Sequence, residues 1–230
     1  MASRSSRPSG DAQLGFAAQQ VGKIRMVGED ILLGPELTRA GPRDARIVGD
    51  ITADAFRDDP FNLWLFKGFA GISALFNTQA SRIYVPHGFS YTMGSDGACM
   101  WMLPGGNASF GLSDYAVIAG KTLIHSGPKA VIRAIRTGTA MDRVHPHFPH
   151  AYLFSIGVRP SAQGKGLGRK LIAPVLDACD RQGLPAYLEN SNPANHGFYT
   201  ACGFEISGDP LHPEPDSPPL VPMLRQPRPA

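Results

Sequence analysis

Cysteine is scarce. Cys99, Cys179 and Cys202 are the only three in 230 residues, widely separated and without a C-x-x-C pair. That spacing speaks against a disulfide framework and a zinc ribbon, and suits a reducing compartment. Charge of one sign is also lacking. Lys+Arg 22 against Asp+Glu 19 leaves +3, too mild a balance for a nucleic-acid or anionic-membrane binder. No apolar run nears the roughly 18 residues that a membrane helix needs. No secretory apolar segment comes after the start, where Met1–Gly10 carries four serines, Arg4, Arg7 and no acid. That stretch also lacks the apolar face of a mitochondrial presequence. The chain is therefore expected in the cytoplasm, without a membrane or nucleic-acid partner.

Apolar residues, by contrast, make up 43%, enough for a real core and against wholesale disorder. The length suits one compact domain with tails. Positions 1–28 are polar and Gly-rich without a sustained period and read as a disordered tail. From 209 to 230, eight of 22 residues are proline. Proline removes ladder donors, so this tail has room for at most one short edge strand, around Leu220 to Leu224. Residues 29–208 form the domain.

Within it, Pro42 to Phe56 reads as a helix, with Pro42 in the first turn and Ile47, Ile51 and Ala55 spaced i, i+4, i+8. The aromatic run from Asp58 to Gly68 is a turn plus a short helix, and Ile72 to Tyr84 another helix. Phe89 to Met93 and Ala98 to Leu103 read as a hairpin around Gly94-Ser95-Asp96-Gly97. Residues 113–143 are helical, interrupted at Ser126-Gly127-Pro128. There Lys129, Arg133 and Arg136 form one basic stripe, either a solvated face or a rim for an anionic group. Tyr152 to Val158 is a strong strand, Gly164 to Gln182 a helix, Ala186 to Glu189 a strand, Pro193 to Ala201 a short helix and Phe204 to Ser207 a last strand. This alternation implies a mixed α/β sheet with a parallel crossover.

The segment SIGVRPSAQGKGLGRKL, residues 155–171, is the most informative. A strand ends at Val158, Pro160 stops its continuation, and Gly164, Gly166 and Gly168 open a helix whose apolar stripe is Leu167, Leu171 and Val175. Alternate glycines remove the Cβ atoms that would hold a ligand off the backbone. The first turn leaves N–H groups unpaired at the positive end of the macrodipole. Together these make an anion cradle suited to a pyrophosphate, with Lys165 and Arg169 at its margin. The P-loop pattern is absent. The dinucleotide fingerprint is only partly met: Arg169 stands at the third glycine, five residues separate strand from glycines, and Glu189 lies about 20 residues on. A purely structural Gly-rich helix cap is the remaining alternative.

Val158-Arg159-Pro160 followed by Gln163-Gly164-Lys165-Gly166-Leu167-Gly168 resembles the acyl-CoA signature of the GCN5-related N-acetyltransferase (GNAT) superfamily. A second signature of that family comes next at Asn195, Phe198-Tyr199 and Cys202-Gly203-Phe204. The run from Gly183 to Ile206, with Pro174 inside the preceding helix, is similar to the puromycin N-acetyltransferase branch. Asn190 departs from it where that branch more often has threonine, which leaves the substrate open. The clear resemblance covers residues 145–210, with fainter echoes at 54–60 and 100–104.

The resemblance implies a GNAT fold: a twisted, mostly antiparallel sheet with a central splayed parallel strand pair, flanked by helices. Residues 29–150 would form the acceptor side and 151–208 the acetyl-CoA side. Acetyl-CoA would lie along Ile156, Gly157 and Val158, with its pyrophosphate on Gln163, Gly164, Lys165, Gly166, Leu167, Gly168 and Arg169, and with Asn195 on its amide or on a water. The amine would attack the thioester directly in a ternary complex. Tyr199 is the expected acid for the leaving sulfur, since a phenol stays protonated at neutral pH. Its alternative is a core tyrosine. Glu189 is the expected base, directly or through water, because it ends a buried strand where desolvation favours a carboxyl that holds a proton. Its alternatives are a solvent-facing carboxylate or a cap. A backbone N–H near Gly157 or Val158 would stabilise the oxyanion.

Asp58, Asp59, Phe61 and Trp64 are the acceptor-site candidates, two carboxylates for a cationic amine and two aromatics for an apolar body. An acidic helix end over core aromatics is the other reading. Asn192 reads as a helix cap with Ser191. His145-Pro-His147-Phe-Pro-His150 has no acid or cysteine beside it, so no metal is assigned. The expected activity is N-acetylation of a small-molecule amine, antibiotic-like or a secondary metabolite, by a monomer or homodimer. Acetylation of a protein or peptide amine, or a non-catalytic acyl-CoA-binding module, are the alternatives.

Overall fold

The computed structural model describes residues 26–105 and 111–229. Its strands are β1 (Thr38–Arg39), β2 (Phe89–Met93), β3 (Gly97–Met102), β4 (Ala151–Val158), β5 (Ala186–Asn190), β6 (Glu205–Ile206) and β7 (Val221–Arg225). They form one sheet in the order β1-β2-β3-β4-β5-β7-β6. Every neighbouring pair is antiparallel except β4 and β5. The helices are α1 (Ala45–Ala55), α2 (Pro60–Phe66), α3 (Phe69–Gln79), α4 (Leu112–Ser126), α5 (Pro128–Val144), α6 (Leu167–Gln182) and α7 (His196–Ala201). A π-helical stretch, Ala80–Tyr84, carries α3 onward.

Strand β3 explains the layering. Its side chains alternate by two: Cys99 and Trp101 join the core under α6, while Ala98, Met100 and Met102 join the core under α1 and α3. All six of its residues are buried, as expected of a strand covered on both faces. On β4 the alternation is interrupted. Ser155 lies opposite Met100 and Leu153 opposite Trp101, so Phe154 is an extra residue without a partner. This bulge re-aims the second half of the strand: Leu153 and Ile156, three apart, both face the α6 core.

Helix α6 buries Leu171 and Val175 on the expected stripe. Pro174 deletes the helix donor that would have met the Lys170 carbonyl, and one residue on the Leu171 carbonyl accepts from the Tyr91 hydroxyl. Helix α1 is rotated from the expected phase. Ile47 is 41% exposed, Ile51 is buried as expected, and Val48 and Thr52 are buried beside it.

The C-terminal segment also differs. The strand expected at an edge is β7, which lies inside the sheet between β5 and β6. Pro222 is tolerated there because its carbonyl faces β6, accepting from the Ser207 N–H at 3.0 Å. The absent N–H is therefore directed to the side where β6 has already ended. Arg225 then ties β7 to α6, with its two terminal nitrogens 2.7 and 2.6 Å from the Asp180 carboxylate. At the other end, Met26 is 1% exposed, so core packing begins before residue 29. The remainder of the expected N-terminal tail lies outside the described residues.

The basic stripe on α5 is divided: Lys129 is solvated, Arg136 is exposed but ion-paired, and Arg133 is largely buried against acids of the chain itself. Arg133 meets Glu214 at 3.2 Å and Asp216 at 3.1 Å, and Arg136 meets Glu214 at 2.6 Å. The anions that it attracts come from the chain itself, in the Pro-rich segment before β7. Among the described residues, no helix is long and apolar enough to cross a membrane.

Candidate active site

Strands β4 and β5 pair only at Ala151–Ala186 and Tyr152–Tyr187. Beyond that point both run on unpaired with each other, opening a notch. Arg159 donates its N–H to the Asp96 carbonyl on the β3 side. By strand alternation the backbone groups of Val158 and Ile156 point the opposite way, into the notch. The Gln163 side-chain amide agrees, reaching the Val158 carbonyl at 3.0 Å.

The glycine loop closes the wide end of this notch. Gly164 has φ +77° and Gly166 φ +74°, a left-handed conformation that favours glycine. A Cβ built on either would meet nothing within 4 Å, so the space above them is open. Among the described residues, the N–H groups of Gly164, Lys165, Gly166, Leu167 and Gly168 make no hydrogen bond. Five successive free donors at a helix N-terminus fit a pyrophosphate. Lys165 and Arg169 are exposed beside them. Gly168 differs, since a Cβ there would meet the Phe198 ring at 3.3 Å. Its smallness lets α7 approach α6.

That approach positions Tyr199, which is 7% exposed. Its ring packs on Phe198 and Phe204. Its hydroxyl is not fully enclosed and makes no hydrogen bond among the described residues. Burial chiefly, and then the neighbouring Cys99, Asp59 and Cys202, push its pKa above the ordinary phenol value. The group is protonated throughout the physiological range. Asn195, exposed at the start of α7, leaves its side chain free. Asn192 is the cap, accepting from the Ala194 N–H at 3.0 Å.

Glu189 is neither solvent-facing nor a cap: its side chain is 2% exposed. Tyr152 donates its hydroxyl to Oε2 at 2.9 Å. Oε1 is fully buried with no hydrogen-bond partner, as are the hydroxyls of Ser155 and Tyr187. Orphaned polar atoms at this depth are rare in folded proteins, and here they gather along the diverging strands. Burial first, and then the Glu189 charge, raise both Tyr152 and Tyr187 above the phenol value. His145 Nδ1 lies 3.8 Å from Oε1. His150 stands 3.2 Å from His145, Nε2 to Nε2. Neither these two histidines nor Tyr152 and Tyr187 are expected at the site from sequence. Strand parity could have placed Tyr187 on the face of Glu189. The histidines arrive through the loop between α5 and β4, which carries no periodic signal. Among the described residues, no group of three or more acids, histidines or cysteines is arranged to hold a metal ion.

The four acceptor-side candidates separate. Asp59 is 5% exposed and caps α2, with Oδ1 accepting from both the backbone N–H and the side chain of Asn62. Its Oδ2 accepts from Ser191 at 2.8 Å, which ties α2 to the end of β5. Phe61 is buried in the core beneath α1 and α3. Trp64 is partly buried, with the Arg133 guanidinium 4.3 Å over its ring. Asp58 alone is an exposed carboxylate.

Comparisons with known proteins agree with this geometry. Residues 122–204 match the model of the Acetyltransferase (GNAT) family. An uncharacterized N-acetyltransferase of Schizosaccharomyces pombe is 29% identical over 183 residues, 72% of each chain. The L-amino acid N-acyltransferase of Escherichia coli is 35% identical over 63 residues, 26% of this chain and 37% of that one. Among solved structures, a histone acetyltransferase HPA2-related acetyltransferase from Corynebacterium glutamicum superposes with a TM-score of 0.62 at 23% identity. That match covers 85% of this chain and 98% of the other. The splayed pair and the open glycine loop both lie inside the segment that matches the GNAT family, whose cosubstrate is acetyl-CoA, and the protein is an acyltransferase similar to N-acetyltransferases.

Proposed function

We propose that the protein acetylates a primary amine of a small molecule, with acetyl-CoA as donor, by direct attack in a ternary complex. The observation that carries this reading is the buried, half-unpartnered Glu189 carboxylate on β5, where that strand diverges from β4. Acetyl-CoA supplies the activated thioester. Residues Gly164 to Gly168 bind its pyrophosphate through free N–H groups, with Gln163, Lys165 and Arg169 around them. The notch-facing backbone of Ile156 and Val158, with Gly157 between them, pairs with the pantetheine amides, and Asn195 adds a side-chain contact.

Glu189 takes the proton from the acceptor ammonium. Tyr199, held protonated by burial, gives its proton to the departing sulfur. A small acceptor is favoured over a peptide because the Arg133–Glu214–Asp216 ion pairs hold the Pro-rich segment against α5, beside Trp64. That arrangement narrows the acceptor side. Asp58 is the carboxylate free to draw in a cationic amine, Asp59 fixes the wall through Ser191, and Phe61 and Trp64 support its apolar part. The L-amino acid acyltransferase name of one relative is consistent with this class. The puromycin-type branch is a further refinement of the same reading, and cytoplasmic placement accompanies it.

The experiment is thiol release from acetyl-CoA across a panel of aminonucleosides, amino acids, polyamines and short peptides, with mass-spectrometric detection of the acetylated product. Turnover confined to small amines is the expected result. Turnover only with peptides, or CoA binding without turnover of any amine, would overturn the reading.

A further inference from the structure

A base at Glu189 must dispose of the proton that it takes. A carboxylate whose side chain is 2% exposed cannot hand that proton straight to bulk water. We propose that His145, oriented by His150, relays the acceptor's proton from Glu189 to solvent. This inference rests on the base role proposed for Glu189.

The geometry sets the direction. His150 Nδ1 lies 2.8 Å from the Phe148 carbonyl. A carbonyl only accepts, so Nδ1 must carry the hydrogen. Burial, chiefly, and the neighbouring His145 lower the His150 pKa, against the opposing pull of the Phe148 carbonyl and Glu189. The ring is therefore neutral, and its Nε2 is an acceptor. That nitrogen is 3.2 Å from His145 Nε2, which must then be the donor. With its hydrogen fixed on Nε2, neutral His145 turns the bare lone pair of Nδ1 toward Glu189 Oε1, 3.8 Å away. Oε1 is the oxygen without a partner, while Oε2 is held by Tyr152.

The protons balance. The acceptor ammonium loses a proton to the Glu189 carboxylate. The carboxyl passes it from Oε1 to His145 Nδ1, giving an imidazolium. His145, whose side chain is 36% exposed, then releases a proton to water and regains its neutral form. His150 fixes the tautomer and neither gains nor loses a proton overall. The groups facing His145 are His150 from the preceding loop, Tyr152 from β4, and Tyr187 and Glu189 from β5. Tyr84, across from Glu189, is like the other two tyrosines raised well above its ordinary value, mainly by burial. Both histidines are positioning residues, because neither touches the acceptor.

Two measurements test this. In the protein labelled with 15N-histidine, long-range proton–nitrogen spectra should show the neutral form of His145 protonated on Nε2 and that of His150 on Nδ1. Glu189→Gln should lower the pH at which His145 titrates. A neutral His145 protonated on Nδ1, or titration indifferent to Glu189→Gln, would overturn the relay. In turnover, His145→Ala should lower kcat about 10-fold or more with the KM for acetyl-CoA unchanged. It should abolish the acid-side rise of the pH profile and be partly rescued by added imidazole. His145→Gln should show the same loss in a folded background without rescue. Glu189→Gln with full activity would remove the base reading itself. A crippled Glu189→Gln beside a His145→Ala of normal rate and pH profile would remove only the relay.

Discussion

On the β4–α6 side, the free donors are main-chain amides of five consecutive residues, Gly164 to Gly168. On the α2–α5 side the polar groups are side chains at positions 64, 133 and 214, fastened to one another by ion pairs and one ring contact. The first arrangement suits a phosphate held by backbone alone and depends on the absence of Cβ atoms. The second is shaped by which long side chain reaches which partner. A cofactor common to a whole family suits the first device, and an acceptor particular to one protein suits the second.

The sharpest way to break this contrast is Gly166→Val. A branched residue at φ +74° is strained by about 1–2 kcal/mol, and its side chain enters the space over the free N–H groups. Calorimetric CoA binding should become undetectable in a folded protein, and normal binding would refute the backbone cradle. Next comes Tyr199→Phe, which should cut turnover roughly 10²-fold with acetyl-CoA affinity unchanged. An unaltered rate, with chemistry shown to be limiting, would reject the acid role.

On the other side, Arg133→Met should cost about 1–3 kcal/mol in chemical denaturation, because the Trp64 carbonyl and one oxygen of Glu214 lose their donor. It should also raise the acceptor KM while leaving CoA binding alone. A parallel loss of CoA affinity would show that the two sides are not independent. Asp180→Asn tests the tie between them. Burial alone would raise the Asp180 carboxyl, but the Arg225 hydrogen bonds and the Arg228 N–H outweigh it and hold it below the ordinary 3.8. A carboxyl lowered in the folded state adds stability above its unfolded pKa, and that stability is lost as pH falls through the folded value. The parent protein should therefore lose more stability between about pH 5 and pH 2 than Asp180→Asn does. The smallest effect belongs to Asp58→Ala. Stability should shift by less than about 0.5 kcal/mol at this exposed site, with only the acceptor KM rising.

The same contrast accounts for what can be read from the residues alone. The glycine loop, the α6 stripe of Leu171 and Val175, and the hairpin around Gly94–Gly97 are local patterns, written in neighbouring positions. They appear where expected. The phase of α1 escapes the periodicity because Ile47 and Val48 are equally apolar, and only packing against β3 and β4 chooses between them. The role of the α5 stripe is hidden because its partners, Glu214 and Asp216, lie some eighty residues on. His145 and His150 show no acid beside them in sequence because theirs comes from β5 across the sheet. For Asp59 the helix-end reading is legible, but nothing local reveals that Ser191 occupies its second oxygen.

The position of β7 has a consequence for how the molecule is made. Chain order runs β5, β6, β7, yet β7 is the strand that lies between the other two. As a nascent polypeptide leaves the ribosome, the outer rim of β5 waits unpaired while residues 191–220 are added, and β6 has nothing to join. The last main-chain ladder of the sheet forms only when Val221–Arg225 slides into that gap. Until then an open β edge is available to a second nascent copy. The five residues that complete the sheet thereby also seal it against its own kind.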